Sequence, residues 1–164
     1  MPYSYNALKP MAREFLRGDI LESDRVLDVG PGAGTYARLL PEVKMDCVEI
    51  YKPYVKRFHL GLYYGKVFVQ DIRDFDLGFY TYIIMGDVFE HLSHADARAL
   101  LDRITAANAR CFIGVPYMFE QGPWEGNEHE THLQPDLTQE VMAQRYPELS
   151  LVFGNDLHGY YTNY

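Results

Sequence analysis

Residues 26–34 read Val-Leu-Asp-Val-Gly-Pro-Gly-Ala-Gly. An apolar run interrupted only by Asp28 stops at three alternating glycines, Gly30, Gly32 and Gly34, and a helical pattern opens at Thr35. This order requires a buried strand, a tight turn and a helix in direct succession, the opening unit of a doubly wound α/β sheet. The glycines let backbone approach a ligand that a Cβ would push away. The N–H groups of the turn and the N-terminus of the helix favour a negative ligand group. No packing need in the sequence accounts for three glycines and the backbone entropy they give up, so the turn reads as a cradle for a nucleotide-type cofactor.

The rest of the chain repeats the strand-then-helix rhythm. Met45–Ile50 is a strand-like run with Glu49 at its end, 19 residues after Gly30. Lys66–Val69 leads into Gln70-Asp71-Ile72, and residues 79–85 lead into Gly86-Asp87. A fifth run, Cys111–Val115, is stopped by Pro116. Helices are expected at about 34–40, 53–60, 94–107 and 138–146, the third opened by the Ser93-His94-Ala95-Asp96 cap and the last by Thr138 or Asp136. An amphipathic helix is expected over 6–18, with Leu8, Met11, Ala12, Phe15 and Leu16 on one face and Gly18 closing it. Residues 149–153 and 159–164 read as two strands around a Gly-Asn-Asp turn. The expected fold is a Rossmann-like doubly wound sheet, mostly parallel, with an antiparallel edge strand from the C-terminal hairpin. One domain spans 1–164, with the N-terminal helix inside 1–20 and a long segment, 117–137, on the substrate side.

The glycine spacing distinguishes between cofactors. A nicotinamide fingerprint needs a third small residue where this chain has Thr35, and it sits badly with an acid at Asp28, two residues before the turn. An acid there suits a ligand that carries positive charge, such as the ammonium and sulfonium of S-adenosylmethionine. The stretch resembles motif I of the class I S-adenosylmethionine-dependent methyltransferases of the small-molecule type, and the resemblance covers about residues 25–116. It implies that Asp28, Gly30, Pro31, Gly32 and Gly34 hold the methionine end of the cofactor. It places Glu49 and Ile50 at the ribose, Asp71 and Ile72 at the adenine, and Gly86 and Asp87 near the reacting end. The implied activity is methyl transfer to an oxygen or nitrogen of a small molecule. A cofactor-binding, non-catalytic or regulatory protein of the same fold is the alternative.

Asp87-Val88-Phe89-Glu90-His91-Leu92 follows the fourth strand, where ligands of open α/β sheets meet their chemistry. It is similar to the acid-x-x-Glu-His motif that accompanies a divalent metal in ubiquinone-biosynthesis O-methyltransferases and small-RNA 2′-O-methyltransferases, with Asp87 in place of the first Glu. That likeness implies a metal held by Asp87, Glu90, His91 and a histidine from the segment after strand five, His132 or alternatively His129. The mixed oxygen–nitrogen set suits Mg²⁺, Mn²⁺, Fe²⁺ or Zn²⁺. Without a metal, His91 is placed to take the substrate proton directly, with Glu90 beside it. The plain reading, in which Glu90 and His91 only begin the next helix, stays open. Residues 117–137 are long for a connection in a compact domain, which marks them as functional; Tyr117 and Trp124 are the candidate substrate contacts.

Charge and cysteine content narrow the partners. The 164 residues carry a net charge of −8, which argues against a basic nucleic-acid face and leaves a small-molecule substrate. Lys52, Lys56 and Arg57 read as a solvated helix face. Cys47 and Cys111 fall in strand patterns and read as core thiols of a reducing compartment. With no signal-peptide core at the start and no apolar run approaching 18 residues, the expectation is a cytoplasmic protein without a membrane span. The sequence gives no sign of an oligomeric state.

Overall fold

The computed structural model describes residues 6–164. Seven strands, β1 (Val26–Val29), β2 (Met45–Glu49), β3 (Val67–Val69), β4 (Tyr82–Gly86), β5 (Arg110–Pro116), β6 (Ser150–Asn155) and β7 (His158–Thr162), form one sheet in the order β3-β2-β1-β4-β5-β7-β6. The first five pair in parallel, while β7 runs antiparallel to both β5 and β6. The chain steps outward from β1 to β2 and β3, then crosses back to β4 on the other side of β1. Connections leaving β1 and β4 therefore diverge, and a crevice opens at their carboxyl ends.

Among the described residues five α-helices cover the sheet: α1 (Lys9–Asp19), α2 (Thr35–Leu39), α3 (Lys52–Arg57), α4 (His94–Ala106) and α5 (Gln139–Arg145). Side-chain alternation along each strand splits the core into two layers. Ile83 and Met85 of β4 join Leu100, Leu101 and Ile104 of α4 on one face; Tyr82 and Ile84 join Leu16 of α1 and Tyr36 of α2 on the other. Every residue of β1 is buried, as a strand covered on both faces must be. Cys47 and Cys111 are free and buried in β2 and β5. Among the described residues no helix is long and apolar enough to cross a membrane.

Several boundaries differ from the sequence expectation, each for a local reason. Residues 1–5 lie outside the described residues, and α1 begins at Lys9 with Pro10 in its first turn. Its buried face is Leu8, Ala12 and Leu16, spaced four apart; Met11 falls beside that row and is 47% exposed. Gly18 lies within the helix rather than closing it. Strand β4 starts at Tyr82, not 79, because Tyr80 N–H closes a turn onto Leu77 and the Thr81 hydroxyl is taken by Arg25 N–H and Asp24. The hairpin turns later than Gly154-Asn155-Asp156, since the Asn155 side chain accepts the N–H groups of Leu157 and His158. Ser93 caps α4 as expected, its Oγ accepting the Asp96 N–H and donating to the Asp96 carboxylate. Thr138, not Asp136, caps α5.

Candidate functional site

A cavity of about 220 Å³ lies in the crevice. Gly30, Pro31 and Gly32 from the turn after β1 meet Glu49 and Ile50 from the end of β2. Gln70, Asp71 and Ile72 follow β3, and Gly86, Asp87, Val88 and His91 follow β4. Asn127–Thr131 and Leu133 complete the wall from the segment after β5. Gly30 and Gly32 have φ of 60° and 50°, the left-handed region that favours glycine. At Gly30 a Cβ would also sit 2.8 Å from Val88 Cγ2.

The strand-end acids are held differently. Glu49 Oε1 accepts the Tyr51 N–H at 2.8 Å. Burial pushes its carboxyl up to about 7, against the opposing pull of the Tyr51 and Gly32 N–H groups. Asp71 is gripped by Arg73, whose Nε lies 2.9 Å and Nη2 2.6 Å from Asp71 Oδ2. Burial works to raise the Asp71 carboxyl, but the guanidinium outweighs it and holds the group below the ordinary range.

Beyond β4 the chain enters a 3-10 turn, Phe89–His91. Glu90 is 1% exposed, and neither carboxylate oxygen has a hydrogen-bond partner. His91 Nε2 lies 3.9 Å and His132 Nε2 4.0 Å from Glu90 Oε1. Each ring is fixed through its other nitrogen: His91 Nδ1 faces the Thr131 carbonyl at 3.2 Å, and His132 Nδ1 the Phe119 carbonyl at 2.7 Å. A carbonyl only accepts, so both Nδ1 atoms carry the proton and both Nε2 lone pairs face the carboxylate. Burial, with the Asp87 charge behind it, holds the Glu90 carboxyl well above its usual range. Burial lowers His91 to about 4, with His132 adding to the effect, and lowers His132 as well. One ligand atom from each of Glu90, His91 and His132 lies within 4.8 Å of the others. The chemistry available here is that of a neutral acceptor cluster, fit for a proton or a divalent ion.

No family model matches the chain, and no curated protein matches it. Solved structures do. A 1,6-didemethyltoxoflavin-N1-methyltransferase from Burkholderia thailandensis, with its substrate and S-adenosylhomocysteine bound, has a TM-score of 0.66 at 18% identity and covers 95% of this chain and 77% of its own. An S-adenosylmethionine-dependent methyltransferase from Clostridium acetobutylicum has a TM-score of 0.69 at 12% identity, over 98% and 91% of the two chains. A magnesium protoporphyrin IX methyltransferase from Synechocystis with S-adenosylmethionine bound has a TM-score of 0.66 at 17% identity, over 94% and 76%. The chain has a Rossmann-like methyltransferase fold.

Within that methyltransferase fold, the sequence-derived residues divide. Gly30, Pro31, Gly32, Glu49, Ile50, Asp71, Ile72, Gly86, Asp87 and His91 share one cavity wall. Asp28 does not reach it. Strand alternation points Asp28 to the opposite face from Val29, where the Tyr64 hydroxyl donates to one oxygen and burial raises the carboxyl to about 7. Gly34 is the N-cap of α2 at φ 75° and does not line the cavity; a Cβ there would meet Leu60, Tyr63 and Tyr64. Asp87 is also apart from the three clustered ligands: its Oδ1 meets His158 Nε2 at 2.6 Å. His129 lines the cavity, while His132 joins the cluster. Tyr117 pairs its hydroxyl with Tyr161, and Trp124 bridges to Asn127 with its ring half-exposed; neither lines the cavity.

Three features had no sequence signal. His158 comes from β7, 71 residues from its partner Asp87. Lys9 is buried in α1 and donates to the hydroxyls of Tyr36 (3.2 Å) and Tyr160 (3.1 Å), fixing Tyr36 over Gly86, where a Cβ would sit 2.4 Å from the Tyr36 hydroxyl. Glu130 is tied to α3, with Tyr54 Oη donating to its Oε1 at 3.0 Å.

Proposed function

We propose that the chain is an S-adenosylmethionine-dependent methyltransferase acting on an oxygen or nitrogen of a small molecule. The observation that carries this reading is the single cavity in which the glycine turn, Glu49, Asp71–Ile72 and His91 meet. The similar structures support it: two of those compared hold S-adenosylhomocysteine or S-adenosylmethionine, and one is a nitrogen methyltransferase with its small-molecule substrate in place. When bound, S-adenosylmethionine supplies an electrophilic methyl group on a sulfonium. The residues of the chain provide the rest. The backbone of Gly30 and Gly32 admits the methionine end, and Glu49 accepts the ribose hydroxyls. Ile72 closes on the adenine, with Asp71 at its amino group, and Ile50 stands beside Glu49 at the ribose. Most of the rate would come from holding the nucleophile in line with the methyl and sulfur. Without a metal, His91, neutral at pH 7 through burial, takes the proton of the attacking group.

The proposal has a second form, in which a divalent metal is bound and His91 is a ligand rather than the base. Glu90 has two buried oxygens without partners, and His91 and His132 turn Nε2 lone pairs toward them, a donor set that fits Mn²⁺, Mg²⁺, Fe²⁺ or Zn²⁺. These three residues, without Asp87, would hold the ion, which would supply Lewis acidity at a substrate oxygen. The buried free cysteines suit a reducing, cytoplasmic setting.

The test is native mass spectrometry of freshly purified protein, followed by incubation of methyl-labelled S-adenosylmethionine with small-molecule extracts. The proposal expects S-adenosylmethionine or S-adenosylhomocysteine as the bound species, and label entering a small molecule with wild type but not with His91→Ala. A nicotinamide or flavin bound in the cavity would overturn it. Cofactor binding with no labelled product from any extract would favour the non-catalytic alternative.

A further inference from the structure

Asp71 and Arg73 stand two residues apart in the turn after β3, which the Asp74 N–H closes onto the Asp71 carbonyl at 3.2 Å. The main chain of this turn is pinned from α4. Arg103 Nη1 donates to the carbonyls of Ile72 at 3.0 Å and Arg73 at 2.7 Å, and Arg103 Nη2 to that of Phe75. Gln70 Nε2 holds the Asp74 carbonyl at 3.0 Å. The Arg73 side chain folds back onto Asp71 and also reaches Asp96, in the first turn of α4, through Nη1 at 3.4 Å. Asp71, Ile72, Arg73 and Asp96 all line the cavity.

The guanidinium takes up most of what the Asp71 carboxylate can accept. Oδ1 receives the Arg73 backbone N–H at 2.9 Å and Nε at 3.1 Å; Oδ2 receives Nε at 2.9 Å and Nη2 at 2.6 Å. Nε carries one hydrogen, shared between the two oxygens, so three hydrogens reach the carboxylate. A carboxylate offers about four lone-pair sites, which leaves one. The Asp71 side chain keeps 20% exposure and lines the cavity, so the group is not sealed off from a ligand. The planar fork also fixes the plane of the carboxylate, which a single point charge would not do. An ionised carboxylate held in this way accepts and cannot donate, so it has room for one N–H and none for an acceptor.

We infer that Arg73 is the positioning residue of the adenine end, its fork holding the Asp71 carboxylate so that one remaining acceptor faces the cavity and selects a base with an exocyclic amino group. The inference rests on the cofactor reading above. Arg73 acts through Asp71 and has no bond to the base in this account. Its charge sets the protonation of Asp71 and its shape sets the direction, and the two contributions separate in the variants. The other charged groups around Asp71 are Glu49 at the end of β2, Asp96 on α4 and His129 on the segment after β5. Glu49 and Asp96 carry the same sign as Asp71, so Arg73 and His129 are the groups that favour its ionised form.

Calorimetry with S-adenosylhomocysteine and its 6-desamino analogue, purine in place of adenine, tests this. At pH 8 wild type should prefer S-adenosylhomocysteine about thirtyfold. Arg73 has a half-exposed side chain, so Arg73→Met leaves the core intact. It should cut the preference to about threefold by weakening S-adenosylhomocysteine, with the analogue unchanged within about twofold. Toward pH 5 the wild-type preference should hold, because the guanidinium keeps the Asp71 carboxyl below the ordinary range. In Arg73→Met it should shrink further, since burial then raises that carboxyl with no fork to oppose it. Glu49 titrates in the same interval but serves the ribose common to both ligands, so it cancels in the ratio. Arg73→Lys, which restores charge without the fork, should recover the pH independence and not the preference. Equal wild-type affinities for the two ligands would overturn the inference, as would equal weakening of both, or of neither, by Arg73→Met, or a preference fully restored by lysine. If wild type binds neither ligand, the cofactor reading itself fails, an outcome separate from an unchanged ratio.

Discussion

Asp87 and His158 meet at 2.6 Å, joining the end of β4 to the start of β7. The contact fastens the antiparallel hairpin to the parallel part of the sheet at the cavity wall, which Asp87 lines. Asp87 sits at φ 57°, and its N–H is taken by the Gly114 carbonyl of β5, so the residue is held from both main chain and side chain. His158 is fully buried. Replacing it with Ala leaves the Asp87 carboxylate without this partner. His158→Ala should therefore lower unfolding free energy by about 2–3 kcal/mol in urea titration. A loss below about 0.5 kcal/mol would mean that the pair is incidental.

The same pairing separates Asp87 from the cluster of Glu90, His91 and His132. If that cluster holds a divalent ion, the three variants Glu90→Gln, His91→Ala and His132→Ala should each abolish stoichiometric metal in elemental analysis. Asp87→Asn should retain it. Metal lost in Asp87→Asn but kept in His132→Ala would reverse the assignment.

Buried acids make the ligand-free fold sensitive to pH. Asp28 and Glu49 titrate at about 7 in the folded chain, against ordinary values of 3.8 and 4.5. Between those limits the folded state binds more protons than the unfolded state. Their contribution to stability is thus full below the ordinary values and is lost as pH rises through about 7. His91 has the opposite sign: lowered from 6.5 to about 4, it favours folding above 6.5 and loses that contribution as pH falls. From pH 6.5 to 8 the two acids lose most of their excess protons while the imidazole contribution is already past its midpoint, so the melting temperature of the ligand-free protein should fall over that interval. Asp28→Asn should flatten the fall and melt higher than wild type at pH 8. A melting temperature that rises from pH 6.5 to 8 would contradict the burial of these carboxyls.

The parts of the site that were legible in the sequence are the ones written locally. Three glycines at alternating positions after an apolar run, and Glu49 and Asp71 at the ends of the next two runs, specify the turn and the strand ends without reference to anything distant. Asp28 was legible as a strand residue, but its direction was not: one step of strand alternation turns it from the cavity toward Tyr64. The association of Glu90 and His91 with His132 followed from a motif, whereas the Asp87–His158 pair depends on β7 entering next to β5, which no local pattern states. Lys9, Tyr36 and Tyr160 belong to α1, α2 and β7 and meet only through packing. In the segment after β5 the single tryptophan drew attention, but Asn127–Thr131 are the residues that reach the wall, because the Trp124–Asn127 bridge turns the chain inward after the indole.

The central claim is that this cavity binds the methyltransferase cofactor through Glu49. Isothermal titration of wild type and Glu49→Ala with S-adenosylhomocysteine, and of wild type with NAD, measures it directly. The account predicts one equivalent of S-adenosylhomocysteine bound by wild type and no heat from NAD. At pH 8, above the Glu49 titration, affinity for S-adenosylhomocysteine in Glu49→Ala should fall by about ten- to hundredfold, the loss of a charged acceptor for two hydroxyls worth about 1.5–3 kcal/mol. Saturable NAD binding, or undiminished S-adenosylhomocysteine affinity in Glu49→Ala, would contradict it.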